Sequence, residues 1–302
     1  MTFMELMEKF PTEKAVIGYF LKVRYPSGVC CNHCGSVKVY QENNYPKVFH
    51  CNDCVNSFSP FKHTIFEKSS TDLRKWMYAI HLFLNAKKGI SAMQLQREIG
   101  VTYKTAWRML HQIRKAMGNV DNPEFINTIV EIDETYIGGK PRKENKRDDD
   151  DNDGGGKRGR GTSKTPIVGV VDRKGKKVYA KIAMPNAEGK KLTARQLVDV
   201  LKTVSKAENN NTIMTDEFRG YSPLSRSGYV HMRVDHTKAF VDGNTHTNNI
   251  ESFWSTLKRG VYGIYHHVSV KHMQQYVNEF CFRYNNRNQD MFNLVLKQSI
   301  FV

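Results

Sequence analysis

Hydrophobic positions change their period several times along the chain. From Leu73 they recur at helical spacing through Trp76, Met77, Ile80, Phe83 and Leu84, after Ser and Thr residues able to cap a helix. Residues 91–117 predict two further helices around a tight turn at Gly100–Val101, with Ser91 and Thr102 as N-caps. Beyond Asp121–Pro123 the pattern becomes that of strands. "INTIVEIDETYIGG" is a β-type run, and "TPIVGVVDRKGKKVYAKIA" predicts a hairpin turning at Lys174–Gly175. "LTARQLVDVLKTVSKA" predicts a helix, and "NTIMTDEF" and "YVHMRVD" predict strands. The end is helical again, from Asn248 to Arg259 and from Ser269 to about Tyr284. Strands alternating with helices in this way predict a mixed α/β domain.

The expected organisation is a helical segment over 1–25, a turn- and β-rich module over 26–62, a helical module over 63–120, the α/β domain over 125–290 and a tail over 291–302. One stretch inside the α/β domain, 141–164, is polar and Gly-rich and is expected to be a disordered insertion. Its Asp148–Asp151 run reads as solvated linker, because contiguous carboxylates without a scaffold repel one another.

Charge adds a partner class. Forty-six Lys and Arg against 30 Asp and Glu give a net charge of +16, and a balance this basic points to an anionic polymer. Half of that surplus lies between Lys62 and Gly118, where eleven basic residues face three acidic ones. The N-terminus scatters its charges and lacks the apolar core of a secretory leader, and the apolar runs are short, so a cytosolic or nuclear location is expected, cytoplasmic and nucleoid-associated for a bacterial host.

Cys31-x2-Cys34 and Cys51-x2-Cys54 have the spacing of a zinc ribbon. Each pair presents two thiolates from one turn, and two pairs close a tetrahedral structural site. Cys30 is the spare, and Cys281 falls on the apolar face of the last long helix. The 91–117 unit resembles a helix-turn-helix, with Ala106, Leu110, Ile113 and Met117 inward and Lys104, Arg108, Arg114 and Lys115 outward, where such a helix contacts DNA.

Three carboxylates stand out in the α/β domain. Asp133 interrupts an apolar strand, where an unpaired carboxylate would be costly, so it needs a cation or donors. Asp216 ends a second apolar strand, and Glu251 lies on the first turn of a helix for which Asn248 is the expected cap. Carboxylates from two strands and a helix can converge on a pair of Mg²⁺ or Mn²⁺ ions. Lys258 lies two turns after Glu251 on the same helix face, next to Arg259, in position to hold DNA phosphate. Taken singly, an ion pair, a strand-end turn and a helix cap would account for Asp133, Asp216 and Glu251.

Glu131 to Gly139 ("EIDETYIGG"), Thr215-Asp216, "HTNNIESFWSTLKRGVYGIYHHVS" and "FCFRYNNR" together resemble the ISXO-type insertion-sequence transposases, which are related to the Merlin elements. The cysteine module with "FSPFKHTIFEKSSTDLRKWMYAI" resembles the N-terminal module of the same family, so the likeness spans nearly the whole chain. The resemblance implies a ribonuclease-H-like mixed-sheet core preceded by a zinc ribbon and a helix-turn-helix-like module. It implies a DDE-type, metal-dependent mechanism on the ends of a mobile element, with double-stranded DNA as partner and at least a homodimer. Asp133, Asp216 and Glu251 would be catalytic, with Lys258 as the downstream basic residue. Family members vary at the third position, so His246, Asn248 and Asn249 stand beside Glu251 as alternatives. The rival reading is a DNA-binding regulator that keeps the scaffold without its chemistry; a ribonuclease-H-like nuclease acting on RNA hybrids is a third.

Overall fold

Strand-forming residues in the second half of the chain assemble a single five-stranded sheet. A computed structural model describes residues 1–118, 122–138, 164–183, 192–216, 221, 223–233 and 246–300, in two compact units. The expected insertion at 141–164 lies outside the described residues except for Lys164, which leads into a strand.

The unit formed by 121–287 is built on β4 (Ile129–Ile137), β5 (Thr165–Asp172), β6 (Lys177–Ile182), β7 (Thr212–Thr215) and β8 (Val230–Arg233). The order across the sheet is β6-β5-β4-β7-β8. The first three strands are antiparallel neighbours, whereas β7 joins β4 in parallel and β8 joins β7 in parallel. Three antiparallel strands followed by two parallel ones is the mixed sheet of a ribonuclease-H-like core. The hairpin turns at residues 173–176, as the sequence predicts.

Both faces of this sheet are covered, so β5 reads as an almost unbroken apolar run. On one face Val130, Ile132, Val168 and Val170 pack under Leu197 and Leu201 of α6 (Ala194–Lys202) and Leu224 of the short α7 (Pro223–Arg226). On the other, Ile167, Val171, Val178 and Ala180 meet α8 (Asn248–Gly260) and α9 (Val270–Asn285). A π-helical turn, Val261–Tyr265, continues α8, and the Tyr265 hydroxyl donates to the buried Glu279 carboxylate of α9 at 3.0 Å. Cys281 packs at the margin of this core, where burial pushes its thiol up to about 12.

The other unit holds residues 1–120 and 288–302. It begins with α1 (Phe3–Lys9) and α2 (Glu13–Arg24), then a small antiparallel sheet of β1 (Val39–Gln41), β2 (Phe49–Cys51) and β3 (Ser57–Phe58). Three helices follow: α3 (Leu73–Asn85), α4 (Ala92–Ile99) and α5 (Tyr103–Gly118). Ser91 caps α4 through the Gln94 N–H at 3.1 Å, and Thr102 caps α5 through the Thr105 N–H at 3.3 Å. Gly100 ends α4 at φ 60°, the left-handed conformation that glycine adopts freely. The expected C-terminal tail is instead a helix, α10 (Met291–Gln298), capped by Asp290 and packed on α3 and α5. Its Phe292, Val295 and Leu296 are buried, an apolar stripe too short to stand out from sequence. Among the described residues, no helix is long and apolar enough to cross a membrane.

Candidate active site

The four thiols of Cys31, Cys34, Cys51 and Cys54 lie within 4.8 Å of one another and, among the described residues, form the one such group of three or more metal-ligating side chains. Cys31 and Cys54 Sγ are 3.6 Å apart, as are Cys34 and Cys51 Sγ. A tetrahedron of sulfurs around a metal at about 2.3 Å has edges of roughly 3.8 Å, so the thiols fit such a shell. The two knuckles fold alike, because the residue after the second cysteine of each is left-handed: Gly35 at φ 75° and Val55 at φ 55°. The His33 N–H and the Asn56 side-chain amide point at Cys31 and Cys54 Sγ, at 3.4 and 3.5 Å, where they favour thiolates. The module's own buried cluster is small, Cys31, Phe49, Cys51 and Phe58, with Leu21, Val29, Val39 and Cys54 partly buried against it.

In the α/β unit, Asp133, Glu134, Glu251, Trp254, Lys258 and Arg259 line one cleft beside β4 and α8. Asp133 is half-buried, and its carboxyl is pushed up to about 7 by burial and by the negative charges of Glu134 and Asp216. Asp216 follows the end of β7 and is close enough for its charge to act on both Asp133 and the Tyr221 phenol. The Trp254 indole N–H donates to Asp133 Oδ2 at 3.1 Å, and the Tyr221 hydroxyl donates to Glu134 Oε2 at 2.7 Å. Glu251 is exposed at the cleft and accepts the Thr247 hydroxyl at 2.8 Å. Lys258 is exposed along the same helix, whereas the Arg259 guanidinium turns back to the Ser255 carbonyl at 3.2 Å. The carboxylates here offer hard oxygen ligands, and the charges of Glu134 and Asp216 disfavour ionisation of Asp133 in the absence of a cation, so the cleft suits a hard divalent cation.

The cap of α8 is not the expected one. Asn248 is the first helical residue, and Thr247 before it caps with no side-chain hydrogen bond. The helix N-terminus is instead held from the sheet. Glu131 Oε2 accepts the backbone N–H groups of Asn249 and Ile250 at 2.9 and 3.0 Å, and Glu131 Oε1 accepts the Asn249 side-chain amide at 2.7 Å. Arg173 Nε reaches the same carboxylate at 2.5 Å, and its guanidinium also donates to the His246 carbonyl. Glu131 is 0% exposed. His246 Nδ1 stands 3.5 Å from Glu131, so two of the sequence alternatives to Glu251, His246 and Asn249, are engaged with Glu131. The signal for Glu131 was present: it interrupts the same apolar strand as Asp133, two residues earlier and hence on the same face.

The helix-turn-helix side chains divide. Lys104 and Lys115 are exposed. Arg108 is half-buried and donates to the Glu67 carbonyl at 2.6 Å. Arg114, expected to face outward, is only 2% exposed and lies over the Phe83 ring at 5.1 Å. Its position on α5 falls on the face toward α3, where a planar cation can bury against an aromatic ring.

Residues 126–285 match the family model of the ISXO2-like transposase domain, more than half of the chain, and residues 11–57 match the transposase zinc-ribbon domain. The chain belongs to the ISXO2-like transposase family. The transposase is 29% identical over 265 residues to a protein of the transposable element ISH50 from Halobacterium salinarum, covering 84% of each chain. It is 27% identical over 124 residues to a transposase-like protein of Haemophilus influenzae, covering 41% of the transposase and 94% of that protein. Solved structures similar to it include a pre-cleavage Mos1 transpososome, at 11% identity and TM-score 0.30, covering 74% of this chain and 78% of that one. The Mos1 strand transfer complex matches at 12% identity and TM-score 0.30, over 74% and 77% of the two chains.

Proposed function

We propose that Asp133, Asp216 and Glu251 are the catalytic carboxylates of this transposase and hold a pair of Mg²⁺ or Mn²⁺ ions. The observation that carries this reading is the cleft shared by Asp133, Glu251 and Lys258, together with the effect of the Asp216 charge on Asp133. Such ions, when bound, polarise the scissile phosphate and lower the pKa of the attacking water or 3′-hydroxyl. The protein's own contribution is placement. Asp133 comes from a central strand, Asp216 from the residue that follows the neighbouring strand, and the glutamate from a helix pinned to the same sheet. Trp254 orients Asp133 and covers one side of it. Lys258 then neutralises a DNA phosphate at the cleft mouth. Hydrolysis at the element end followed by attack of the freed 3′-hydroxyl on target DNA needs no protein nucleophile.

The ribbon thiols would hold one structural Zn²⁺, in keeping with their mutual spacing and the zinc-ribbon family match. Lys104 and Lys115 would contact double-stranded DNA at the terminal repeats, and joining two ends calls for at least a dimer. The test is cleavage of element-end DNA in Mg²⁺ by Asp133→Asn and Asp216→Asn. Cleavage should be lost in both; undiminished cutting by either would exclude this mechanism.

A further inference from the structure

We propose that Glu131 is the positioning residue of the active site: its carboxylate, clamped by Arg173, fixes α8 on β4 and so sets where Glu251 stands relative to Asp133. This rests on the assignment of Asp133 and Glu251 as metal-holding carboxylates.

Glu131 is saturated with donors. Two backbone N–H groups, one side-chain amide and the Arg173 guanidinium all reach it, and it is fully buried. It therefore has no oxygen to spare for a ligand of its own. A buried ion pair of this kind adds little net stability over an apolar pair of the same shape, because desolvation offsets the Coulomb gain. What it does supply is register. An apolar contact tolerates sliding, whereas a carboxylate shared between two successive N–H groups at a helix start has one position.

The placement of the neighbours gives that register a purpose. Glu131 and Asp133 project from the same face of β4, two residues apart. On α8 the residues bonded to Glu131 are Asn249 and Ile250, and Glu251 comes next. One turn later Trp254 bonds Asp133. The helix is thus held at two points on one strand, and Glu251 lies between them. Loosening the first point leaves the helix on its apolar face while Glu251 loses its fixed distance from Asp133.

The experiment uses the full-length protein. Mn²⁺ affinity is measured by calorimetry without DNA, together with hydrogen exchange at the 249–250 amides, thermal melting and zinc content. For Glu131→Gln, the expected result is Mn²⁺ binding weakened by about 10–100-fold, the usual cost of losing a group that orients a ligand. Exchange at 249–250 should be faster while the rest of α8 stays protected. Wild-type Mn²⁺ affinity in a folded Glu131→Gln protein would overturn the proposal. If that variant does not fold, Asn249→Ala removes one donor and leaves the ion pair; it should weaken Mn²⁺ binding in the same direction, and an unchanged affinity there overturns the proposal equally. Asp133→Asn separates the two readings. If it binds Mn²⁺ as the wild type does, the metal assignment of the cleft is what fails.

Discussion

Asp133 stands opposite Gly169 in the β4–β5 ladder, and the Trp254 indole occupies the space that a side chain at 169 would need. A Cβ there would fall 2.6 Å from two ring atoms of Trp254 and 2.8 Å from Ile250 Cδ1. The absent side chain is what lets α8 approach the sheet closely enough for its indole to reach Asp133. Gly169→Ala should therefore lift Trp254 from Asp133 and cost about 1–3 kcal/mol through overpacking. Denaturant unfolding would show the loss, and strand cleavage should fall far more than DNA affinity does.

Asp133 also predicts a pH dependence. Its folded carboxyl titrates at about 7, above the ordinary value of 3.8. Between those values the folded protein holds a proton that the unfolded chain has released, so without divalent ions stability falls as pH rises through this window. Above it both states are ionised and the contribution is flat. Asp133→Asn should remove the slope, as melting temperatures taken across the window will show. Trp254→Phe takes away a hydrogen bond that favours the carboxylate, so it should move the upper end of the window to higher pH.

The ribbon should depend on its metal. Four buried residues are too few to hold it, so chelation or Cys51→Ser should release the zinc proposed for its thiols and unfold residues 26–62, as seen by zinc assay and limited proteolysis. Cys30→Ser should keep full zinc stoichiometry, because Cys30 stands outside the thiol cluster.

Two basic residues on one helix should behave differently. Lys104→Ala should weaken DNA binding across all sequences and reduce the salt slope by about one, with no change in melting. Arg114→Ala should cost about 2 kcal/mol in stability, from lost packing and the contact with Phe83. Binding isotherms at several salt concentrations, set beside unfolding curves, distinguish the two.

Period and turn chemistry made most elements legible: the apolar recurrence of α3, the Ser91 and Thr102 caps, the hairpin at 173–176 and the ribbon cysteines. What sequence left hidden is pairing at a distance. Charge on an amphipathic helix ordinarily faces water, which predicts Arg114 outward; only the fold brings Phe83 beneath it. Asn248 looked like a cap because caps are sought nearby, whereas the group that serves α8 lies 119 residues before Ile250. Each acid alone has an ordinary explanation, and the sheet order is what brings Asp133 on β4 beside the end of β7, which Asp216 follows.

The last helix has a consequence for synthesis. Because α10 packs on α3 and α5, the N-terminal unit is discontinuous in sequence and takes its final side chains from the end of the chain. It cannot be completed until residues 288–302 have been made, and a fragment ending near residue 120 would expose the apolar surface that Phe292, Val295 and Leu296 cover. Truncation before residue 288 would thus yield a chain whose N-terminal unit lacks part of its core.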